Sequence, residues 1–388
     1  AEALTAMFNS LGKPYIEGAF MTKHGGTYYL QYACPGTQFN TYSDGVYISQ
    51  SPLGPFILQK SNPFSSKPGG FITGAGHGST IKDEYGNWWH ASTMRISINH
   101  DFERRVGLFP AGFDKDGILY CNQNFADYPH AIPACKFDAA SQQPEWMLLS
   151  YGKSVTASST AKGSSPAFAV NENCRDWWSA ADATPGQWLC VDLGKESDVR
   201  AIQVNIADEG LAVDFPSESC GDARHTRHID TTPQISNYTL EASADGKHWQ
   251  TLGNVSRECS NGYYEYANGI RVRYIRVTGS VLPYGQVLRI SGLRVFGNGE
   301  GEKPPQAKAK AQRIGPLDAK VSWQHIETAQ GCNVRYGIAP DKLYHSWLVY
   351  GADEVILSTL IKGQEYYICV DSFNENGITP GEILKLEA

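Results

Sequence analysis

The chain has 388 residues, of which 19% are charged and 12% aromatic, with 39 glycines, 20 prolines and a net charge of −7. This length is enough for two or three domains, and the many aromatic and turn residues are typical of an all-β protein. The negative charge, without a basic run, argues against nucleic-acid binding. The sequence has no run of about 18 apolar residues, so no transmembrane segment is predicted. Nine cysteines lack metal-site spacing and cannot all pair within one chain, which leaves free thiols and a partial disulfide framework both open.

One layout occurs twice in the N-terminal region. Glu17 precedes a glycine turn at Gly26 and a strand of aromatic residues, and His77 precedes a turn at Gly86 and another aromatic strand. The spacing is 60 residues in both cases, 77 minus 17 and 86 minus 26. A polar residue that recurs at one position of a strand-turn-strand repeat predicts a β-propeller, in which equivalent positions converge on an axis.

Short strand-like runs alternate with turn residues through residues 1–136. The predicted strands are Thr27–Ala33, Gly45–Ser49, Phe56–Lys60, Ser79–Lys82, Asn87–Thr93, Val106–Phe113 and Gly117–Cys121. At one blade for each repeat, about two and a half blades fit here, whereas a closed propeller has at least about four. The first residues also lack the features of a signal peptide, so we expect further blades before residue 1.

Four motifs in this region resemble glycoside hydrolase family 43, the five-bladed arabinofuranosidase, xylosidase and arabinanase family. They are Glu17-Gly18-Ala19 with the following Lys23-x-Gly-Gly-x-Tyr-Tyr-Leu, Ser51-Pro52-x-Gly54-Pro55-Phe56, Gly74-x-Gly76-His77-x-Ser79 with the following Asp83-x-x-Gly86-x-Trp88-Trp89, and Arg105-Val-Gly-Leu with the following Asp114-x-Asp116-Gly117. The resemblance implies that Glu17 is the general acid, that His77 lies on the channel axis near a calcium ion or an ordered water, and that Arg105 is an active-site residue. Read alone, these three could be a salt-bridged carboxylate, a core histidine and a surface charge.

The chemistry of an inverting glycosidase requires two carboxyl groups. One gives a proton to the leaving oxygen, and a second, about 6.5–9.5 Å away, activates water. The resemblance implies that the base aspartate and a second, tuning aspartate come from the first two blades. Four aspartates of this region are predicted to lie in turns and to be poor substitutes: Asp44, Asp83, Asp114 and Asp116. We therefore expect the base to lie upstream and these 388 residues alone to be inactive.

Residues 137–298 carry a second set of motifs. They are Ser158-Ser159, Pro166-Ala167-x-x-Val170-Asn171, Trp178-Ser179, Gly186-x-Trp188-Leu-x-Val-Asp192-Leu-Gly194, Tyr238-x-Leu-x-x-Ser243-x-Asp245-Gly246-x-x-Trp249 and Arg273-Tyr-Ile-Arg-Val277. This set resembles the discoidin-like (coagulation factor C-type) β-sandwich, which is shared with carbohydrate-binding module family 32. The alternating strand at Trp188 indicates that three tryptophans lie in the core rather than bind sugar: Trp178, Trp188 and Trp249.

Departures from the discoidin-like pattern bear on ligands. The usual metal-loop aspartate is Asn171 here, and the usual acidic residue near the last strand is Gly292, which argues against calcium in this domain. A long polar insertion runs from Glu209 to Pro233. Its candidate sugar-binding residues are Arg224, His225, Arg227 and His228. The same loop could instead pack on the N-terminal domain.

Residues 304–388 follow a linker rich in Gly, Glu and Pro. They resemble a fibronectin type III sandwich, with Trp323 as the core aromatic and Tyr366 as the corner tyrosine. Nothing in this segment suggests chemistry, so a spacer or docking role is expected.

The sequence thus predicts an all-β chain: a partial five-bladed β-propeller at 1–136, a discoidin-like sandwich (jelly roll) at 137–298 and a fibronectin type III-like sandwich at 304–388. The first functional interpretation is part of a secreted, periplasmic or cell-surface glycosidase of the family 43 type. It would be inverting and exo-acting on arabinose-, xylose- or galactose-containing side chains of plant or host polysaccharides, with Ca²⁺ at the propeller axis as the one candidate cofactor. Two alternatives stay open: a non-catalytic carbohydrate-binding protein acting through the discoidin-like domain, and a scaffold. The pattern does not predict an oligomeric state.

Overall fold

The computed structural model describes residues 16–37, 39–95, 104–207, 209 and 232–388. It confirms the all-β fold class. Helical structure in these ranges is limited to three short 3-10 segments, Ala139–Ser141, Pro166–Val170 and Pro283–Gly285. Within the same ranges, no helix has the length and apolar character needed to cross a bilayer. The chain divides into two compact units, one comprising the residues up to Met147 together with Gly299–Ala388 and the other Leu148–Asn298, apart from a few residues outside the described ranges.

Two antiparallel sheets form the N-terminal part of the first unit. Sheet one has the order β1-β2-β3-β4 with β5 beside β3, and its strands are β1 (Glu17–His24), β2 (Thr27–Cys34), β3 (Ser43–Ser49), β4 (Ile57–Leu58) and β5 (Ser65–Ser66). Sheet two has the order β6-β7-β8-β9, with strands β6 (Thr73–Lys82), β7 (Trp88–Arg95), β8 (Arg105–Phe113) and β9 (Leu119–Cys121). Each sheet therefore begins with a hairpin whose first strand carries one of the two repeated polar residues.

The two hairpins form where the sequence supplies turn residues. Gly26 and Gly86 have φ angles of 86° and 84°, a region that favours glycine. In the second turn the Asp83 carboxylate accepts hydrogen bonds from the Asn87 backbone N–H at 2.8 Å and from its side chain at 3.0 Å. A shared core joins the two sheets, and it contains Tyr29, Val46, Phe64, Ala75, Met94, Phe109, Leu119 and Cys121.

Two local predictions in this region are wrong. Asp44 does not lie in a turn but inside β3, where it pairs with Ala33 of β2 and is 1% exposed. The sequence Ser43-Asp44-Gly45 is typical of a turn. In the structure, however, the Asp44 carboxylate has buried hydrogen-bonding partners at Gly78 and His90, so it can lie inside a strand. Strand β6 begins at Thr73 rather than at Ser79. The register with β7 shifts after Gly74 and again after Gly76, so the first residues of β6 lack the two-residue alternation from which a strand is predicted.

The C-terminal part of the first unit is a sandwich of two sheets. One has the order β18-β19-β22 and the other β21-β20-β23-β24, with β25 beside β23. The bounds are β18 (Ala309–Arg313), β19 (Ala319–Trp323), β20 (Gly331–Gly337), β21 (His345–Tyr350), β22 (Glu354–Leu357), β23 (Tyr366–Asn374), β24 (Gly377–Thr379) and β25 (Ile383–Leu386). Tyr366 is 1% exposed, and its hydroxyl accepts a hydrogen bond from the Ile361 N–H at 3.0 Å, closing a tyrosine corner.

This sandwich packs on the two N-terminal sheets within the same unit. Lys342 donates to Asp114 at 2.7 Å and to Asp116 at 2.5 Å. The rings of Tyr344 and Tyr120 stack with centroids 4.4 Å apart. At another point of this contact, the buried Ser61 hydroxyl lies 3.2 Å from Nε2 of the buried His345. The largely buried Lys342–Asp114 ion pair, the stacked rings and the polar contacts together make the C-terminal sandwich an integral part of the first unit.

The second unit is built on one extended eight-stranded sheet. Its order is β10-β17-β13-β16-β14-β15, with β11 beside β13 and β12 beside β17. The bounds are β10 (Met147–Leu148), β11 (Ser154–Ala157), β12 (Trp178–Ser179), β13 (Trp188–Ile206), β14 (Ser236–Ser243), β15 (Gln250–Arg257), β16 (Asn261–Val281) and β17 (Arg289–Asn298). Trp178 is fully buried in the core, as predicted. Trp188 and Trp249 are half-buried, and Trp249 lies under the Arg276 guanidinium, 3.9 Å from its ring centroid.

The cysteines of the described ranges are all free thiols: Cys34, Cys121, Cys135, Cys174, Cys190, Cys259, Cys332 and Cys369. Most are buried, and burial raises the pKa of several, for example those of Cys190 and Cys332 to about 12. These thiols therefore act as small apolar core residues.

Candidate active site

Glu17 and His77, the two residues related by the 60-residue repeat, lie side by side. Glu17 begins β1 and His77 lies within β6, with 3.8 Å between Glu17 Oε1 and His77 Nδ1. The side chains are 30% and 46% exposed, so both remain open to a ligand. Gly18 permits the close approach, since a Cβ there would lie 2.8 Å from the His77 ring, and its φ is +63°. The structure thus brings together two of the three predicted site residues of this region.

Tyr42 holds the same oxygen of Glu17. It is 1% exposed, and its hydroxyl donates to Glu17 Oε1 at 2.9 Å. Burial, and then the hydrogen bond to Glu17, raise the pKa of Tyr42 well above its usual value, so the hydroxyl keeps its proton and donates. Its ring packs against Gly76, where a Cβ would come within 2.9 Å of the ring carbons. One carboxylate oxygen of Glu17 is therefore fixed by the Tyr42 phenol beside His77.

Asp44 fixes the backbone of His77. The Asp44 carboxylate accepts hydrogen bonds from the His77 N–H at 2.7 Å and from the Gly78 N–H at 2.9 Å. It also lies 3.0 Å from Nε2 of His90, which is completely buried. Both Asp44 oxygens are therefore occupied, which leaves this aspartate unsuited to activating water.

A chain of buried polar side chains continues from His90. Its Nδ1 lies 3.0 Å from the Thr80 hydroxyl, which donates to Gln31 at 2.8 Å. The Gln31 amide in turn donates to Thr22 at 2.9 Å. Since Thr22 belongs to β1, the chain connects the strand of Glu17 with the strand of His77. Sequence reasoning missed Tyr42 and His90 because neither belongs to a motif, and it dismissed Asp44 as a turn residue.

Arg105, the third predicted residue of this region, begins β8 and donates from Nη1 to the Arg104 carbonyl at 3.4 Å. The positive charge of Arg104 acts on the Tyr42 hydroxyl and favours its ionised form, against the larger effects of burial and the Glu17 hydrogen bond. Arg104 therefore lies within electrostatic reach of Tyr42. A substrate-contacting role for Arg105 stays a prediction.

The comparisons with known proteins agree with two of the resemblances. Residues 2–119 match the model of glycosyl hydrolases family 43, and residues 168–277 match that of the NedA-like, galactose-binding domain. Residues 2–119 thus form a segment similar to glycosyl hydrolases family 43, the family 43 segment. Over 122 residues it is 29% identical to the non-reducing end alpha-L-arabinofuranosidase BoGH43B of Bacteroides ovatus, which amounts to 30% of this chain and 23% of the relative. The chain thus spans about a quarter of the length of that curated relative.

Solved structures with similarity to this chain include hydrolases and carbohydrate-binding modules. A glycoside hydrolase has a TM-score of 0.40 at 21% identity, over 73% of this chain and 60% of that one. The family 32 carbohydrate-binding module from C. perfringens NanJ, in complex with galactose, has a TM-score of 0.30 at 18% identity, over 39% of this chain and 99% of that one.

The family 43 segment includes Glu17, His77 and Arg105, together with Tyr42 and Asp44. For calcium at the predicted axis, the described residues place the Glu17 carboxylate beside the His77 imidazole, whereas the Asp44 carboxylate is occupied by two backbone N–H groups and His90. They contain no group of three or more His, Cys, Asp or Glu side chains arranged to hold a metal. Calcium takes six to eight oxygen ligands, so these residues do not by themselves form its site.

In the galactose-binding domain, the loop after Val170 contains a buried ion pair instead of a set of calcium ligands. Glu172, in the loop after Val170, forms a two-pronged ion pair with Arg294 of β17, with both oxygens at 2.8 Å. The side chains are 2% and 1% exposed. Asn171 donates to Asp176 at 2.8 Å. The buried carboxylate is therefore neutralised by a guanidinium, and the loop does not fit a calcium ion. The predicted sugar-binding residues Arg224, His225, Arg227 and His228 lie outside the described residues.

Proposed function

We propose that this chain supplies the general acid, Glu17, of a glycosidase active site of the family 43 type. The observation that carries the proposal is the position of Glu17, partly exposed and fixed through one oxygen by Tyr42 beside His77. In this reaction the Glu17 proton passes to the leaving glycosidic oxygen as the bond to the anomeric carbon breaks. Water attacks that carbon from the opposite face and loses its proton to a second carboxylate.

The second carboxylate is proposed to lie outside the described residues, upstream of Ala1. Four aspartates of the N-terminal sheets are engaged elsewhere: Asp44 with two backbone N–H groups, Asp83 with the Asn87 and Trp89 side chains, and Asp114 and Asp116 with Lys342. We therefore expect these 388 residues alone to lack hydrolytic activity. The two sheets are proposed to be neighbouring blades of a five-bladed propeller, and the C-terminal sandwich a fibronectin type III-like module.

The proposed substrates are arabinose-, xylose- or galactose-containing side chains of plant or host polysaccharides, released from the non-reducing end with inversion. The similarity of the family 43 segment to an arabinofuranosidase favours arabinose first. Such substrates are extracellular, which fits secretion, a periplasmic location or display at the cell surface. An axial Ca²⁺ near His77 belongs to the same proposal.

Proton NMR of the full-length protein acting on arabinan, arabinoxylan and galactan tests this function. The proposal predicts release of a monosaccharide whose first-formed anomer is inverted relative to the substrate. Release with retention, or no release from any of the three, would contradict it.

A second candidate function is sugar binding without catalysis, which the match to the galactose-binding domain favours. A glycan array probed with the whole chain tests it. Galactose-containing glycans should be retained by the wild-type chain and lost when Arg224, His225, Arg227 and His228 are replaced by Ala. Retention that survives this replacement would place the binding elsewhere.

A further inference from the structure

Tyr42 and Asp44, two positions apart at the start of β3, contact the two halves of the candidate site. Tyr42 immediately precedes β3 and contacts Glu17 of β1, whereas Asp44 lies in β3 and contacts the His77 segment of β6. Both are 1% exposed. We infer that Tyr42 and Asp44 are positioning residues that fix Glu17 against His77, and this inference rests on the acid role proposed for Glu17.

The His77 segment needs an external acceptor because the sheet does not satisfy it. In the β6–β7 register Gly76 opposes Thr93 and Ser79 opposes Ala91, so His77 and Gly78 form a bulge opposite a single residue. The φ of His77 is +53°, a conformation that costs energy for a residue with a side chain. Asp44 accepts the N–H groups of both bulge residues at 2.7 and 2.9 Å. A buried carboxylate with two backbone donors is a strong acceptor and holds this backbone in place.

Asp44 is itself held rigidly. His90 lies 3.0 Å from its second oxygen and is 0% exposed. Thr80, Gln31 and Thr22 extend the buried hydrogen-bonded chain back to β1. Asp44 has three hydrogen-bonded partners, of which Gly78 and His90 are buried, so it cannot shift without breaking several bonds at once. The network therefore couples the two strands on which Glu17 and His77 stand.

Tyr42 completes the arrangement from the other side. Its hydroxyl holds one Glu17 oxygen, and its ring fills the space that Gly76 leaves free. These contacts hold the Glu17 carboxyl group in one orientation beside His77. A proton donor must lie within hydrogen-bond reach of the oxygen that it protonates, so a loosened Glu17 would transfer its proton less efficiently.

Asp44→Asn tests the Asp44 half without any catalytic assay. The amide keeps the size of the side chain, but it offers one acceptor oxygen instead of two. Hydrogen–deuterium exchange on the whole chain, resolved at His77 and Gly78 by NMR, should become about tenfold faster at one or both amides. Tyr29→Phe is the matched control, because Tyr29 is equally buried and its hydroxyl donates to the Gly117 carbonyl at 2.7 Å, away from the site. Unchanged exchange in Asp44→Asn would overturn the role of Asp44.

Tyr42→Phe tests the other half in the full-length protein. Turnover should fall about tenfold with little change in KM, because a loosened Glu17 transfers its proton less efficiently while substrate binding is kept. Tyr29→Phe should leave kcat and KM unchanged. Equal kinetics for wild type and Tyr42→Phe would refute this half. If the wild-type protein proves inactive, the proposed function fails, whereas the exchange measurement still decides whether Asp44 holds the bulge.

Discussion

Lowering the pH should reduce the free energy of unfolding of the first unit through the buried imidazole of His345. His345 is 4% exposed, and its nearest polar partner is the Ser61 hydroxyl, 3.2 Å from Nε2. Burial lowers the pKa of His345 from 6.5 to about 4. Between these two values the unfolded chain binds a proton that the folded protein does not, so the free energy of unfolding falls as the pH falls through this window. At about 1.4 kcal/mol for each pH unit, the full loss is roughly 3 kcal/mol by pH 4.

Urea unfolding at pH 7.5, 6.5, 5.5 and 4.5 measures this loss, with His345→Phe as the test protein. The variant should be less stable at pH 7.5, where the Ser61 hydroxyl loses its partner, but by pH 4.5 it should have lost about 2.5 kcal/mol less than wild type. His325→Phe is the control, since the His325 side chain is 74% exposed. Asp114 does not contribute to the loss of stability in this pH range. Burial favours its neutral form, but the hydrogen bonds that it accepts, led by that from Lys342, together lower its pKa below 3.8. The stability that its ionised form adds is therefore lost only at lower pH. The same acid slope in wild type and His345→Phe would refute the reasoning.

Three further predictions follow from named contacts. Lys342→Met should destabilise the first unit by about 1–3 kcal/mol, because Asp114 loses its charged donor but keeps the Tyr344 hydroxyl and two backbone N–H groups, whereas Lys115→Met, at a 75% exposed side chain, should change the urea midpoint little. Arg294→Met should lower the melting temperature of the galactose-binding domain, because it removes the guanidinium that neutralises the buried Glu172 carboxylate, while EDTA should leave the wild-type melting temperature unchanged; an EDTA-sensitive melt would mean that a cation holds this loop. Gly18→Ala should displace the adjoining imidazole and cost roughly 1–2 kcal/mol for its left-handed backbone, and a crystal structure of the variant with an unmoved ring would contradict this.

Local sequence signals predicted the strands well, because turn glycines and alternating apolar residues act over a few positions. Six of the seven strands predicted for the N-terminal region overlap observed ones by three residues or more, whereas Phe56–Lys60 shortens to Ile57–Leu58. The 60-residue repeat also correctly paired Glu17 with His77, because equivalent positions of two similar hairpins meet when their sheets pack together. Spacing along the chain was sufficient for this contact.

Contacts that depend on burial could not be predicted in the same way. Asp44 is read as a turn residue from its neighbours, and only the packed sheets show its carboxylate beneath the bulge of β6. Tyr42 has no motif, since one phenol among 21 tyrosines carries no signal until its partner is known. The docking of the C-terminal sandwich rests on Lys342 and the aromatic pair Tyr344–Tyr120, which lie more than 200 positions from their partners.

The most direct test of the acid role is the turnover of Glu17→Gln in the full-length protein on two substrates that differ in leaving group. Glutamine keeps the shape of the side chain but has no proton to give. With a poor leaving group, such as an unactivated sugar, kcat should fall by roughly 10²–10⁴, and with a nitrophenolate it should fall far less. Wild-type turnover of the poor substrate by a correctly folded Glu17→Gln protein would contradict the account.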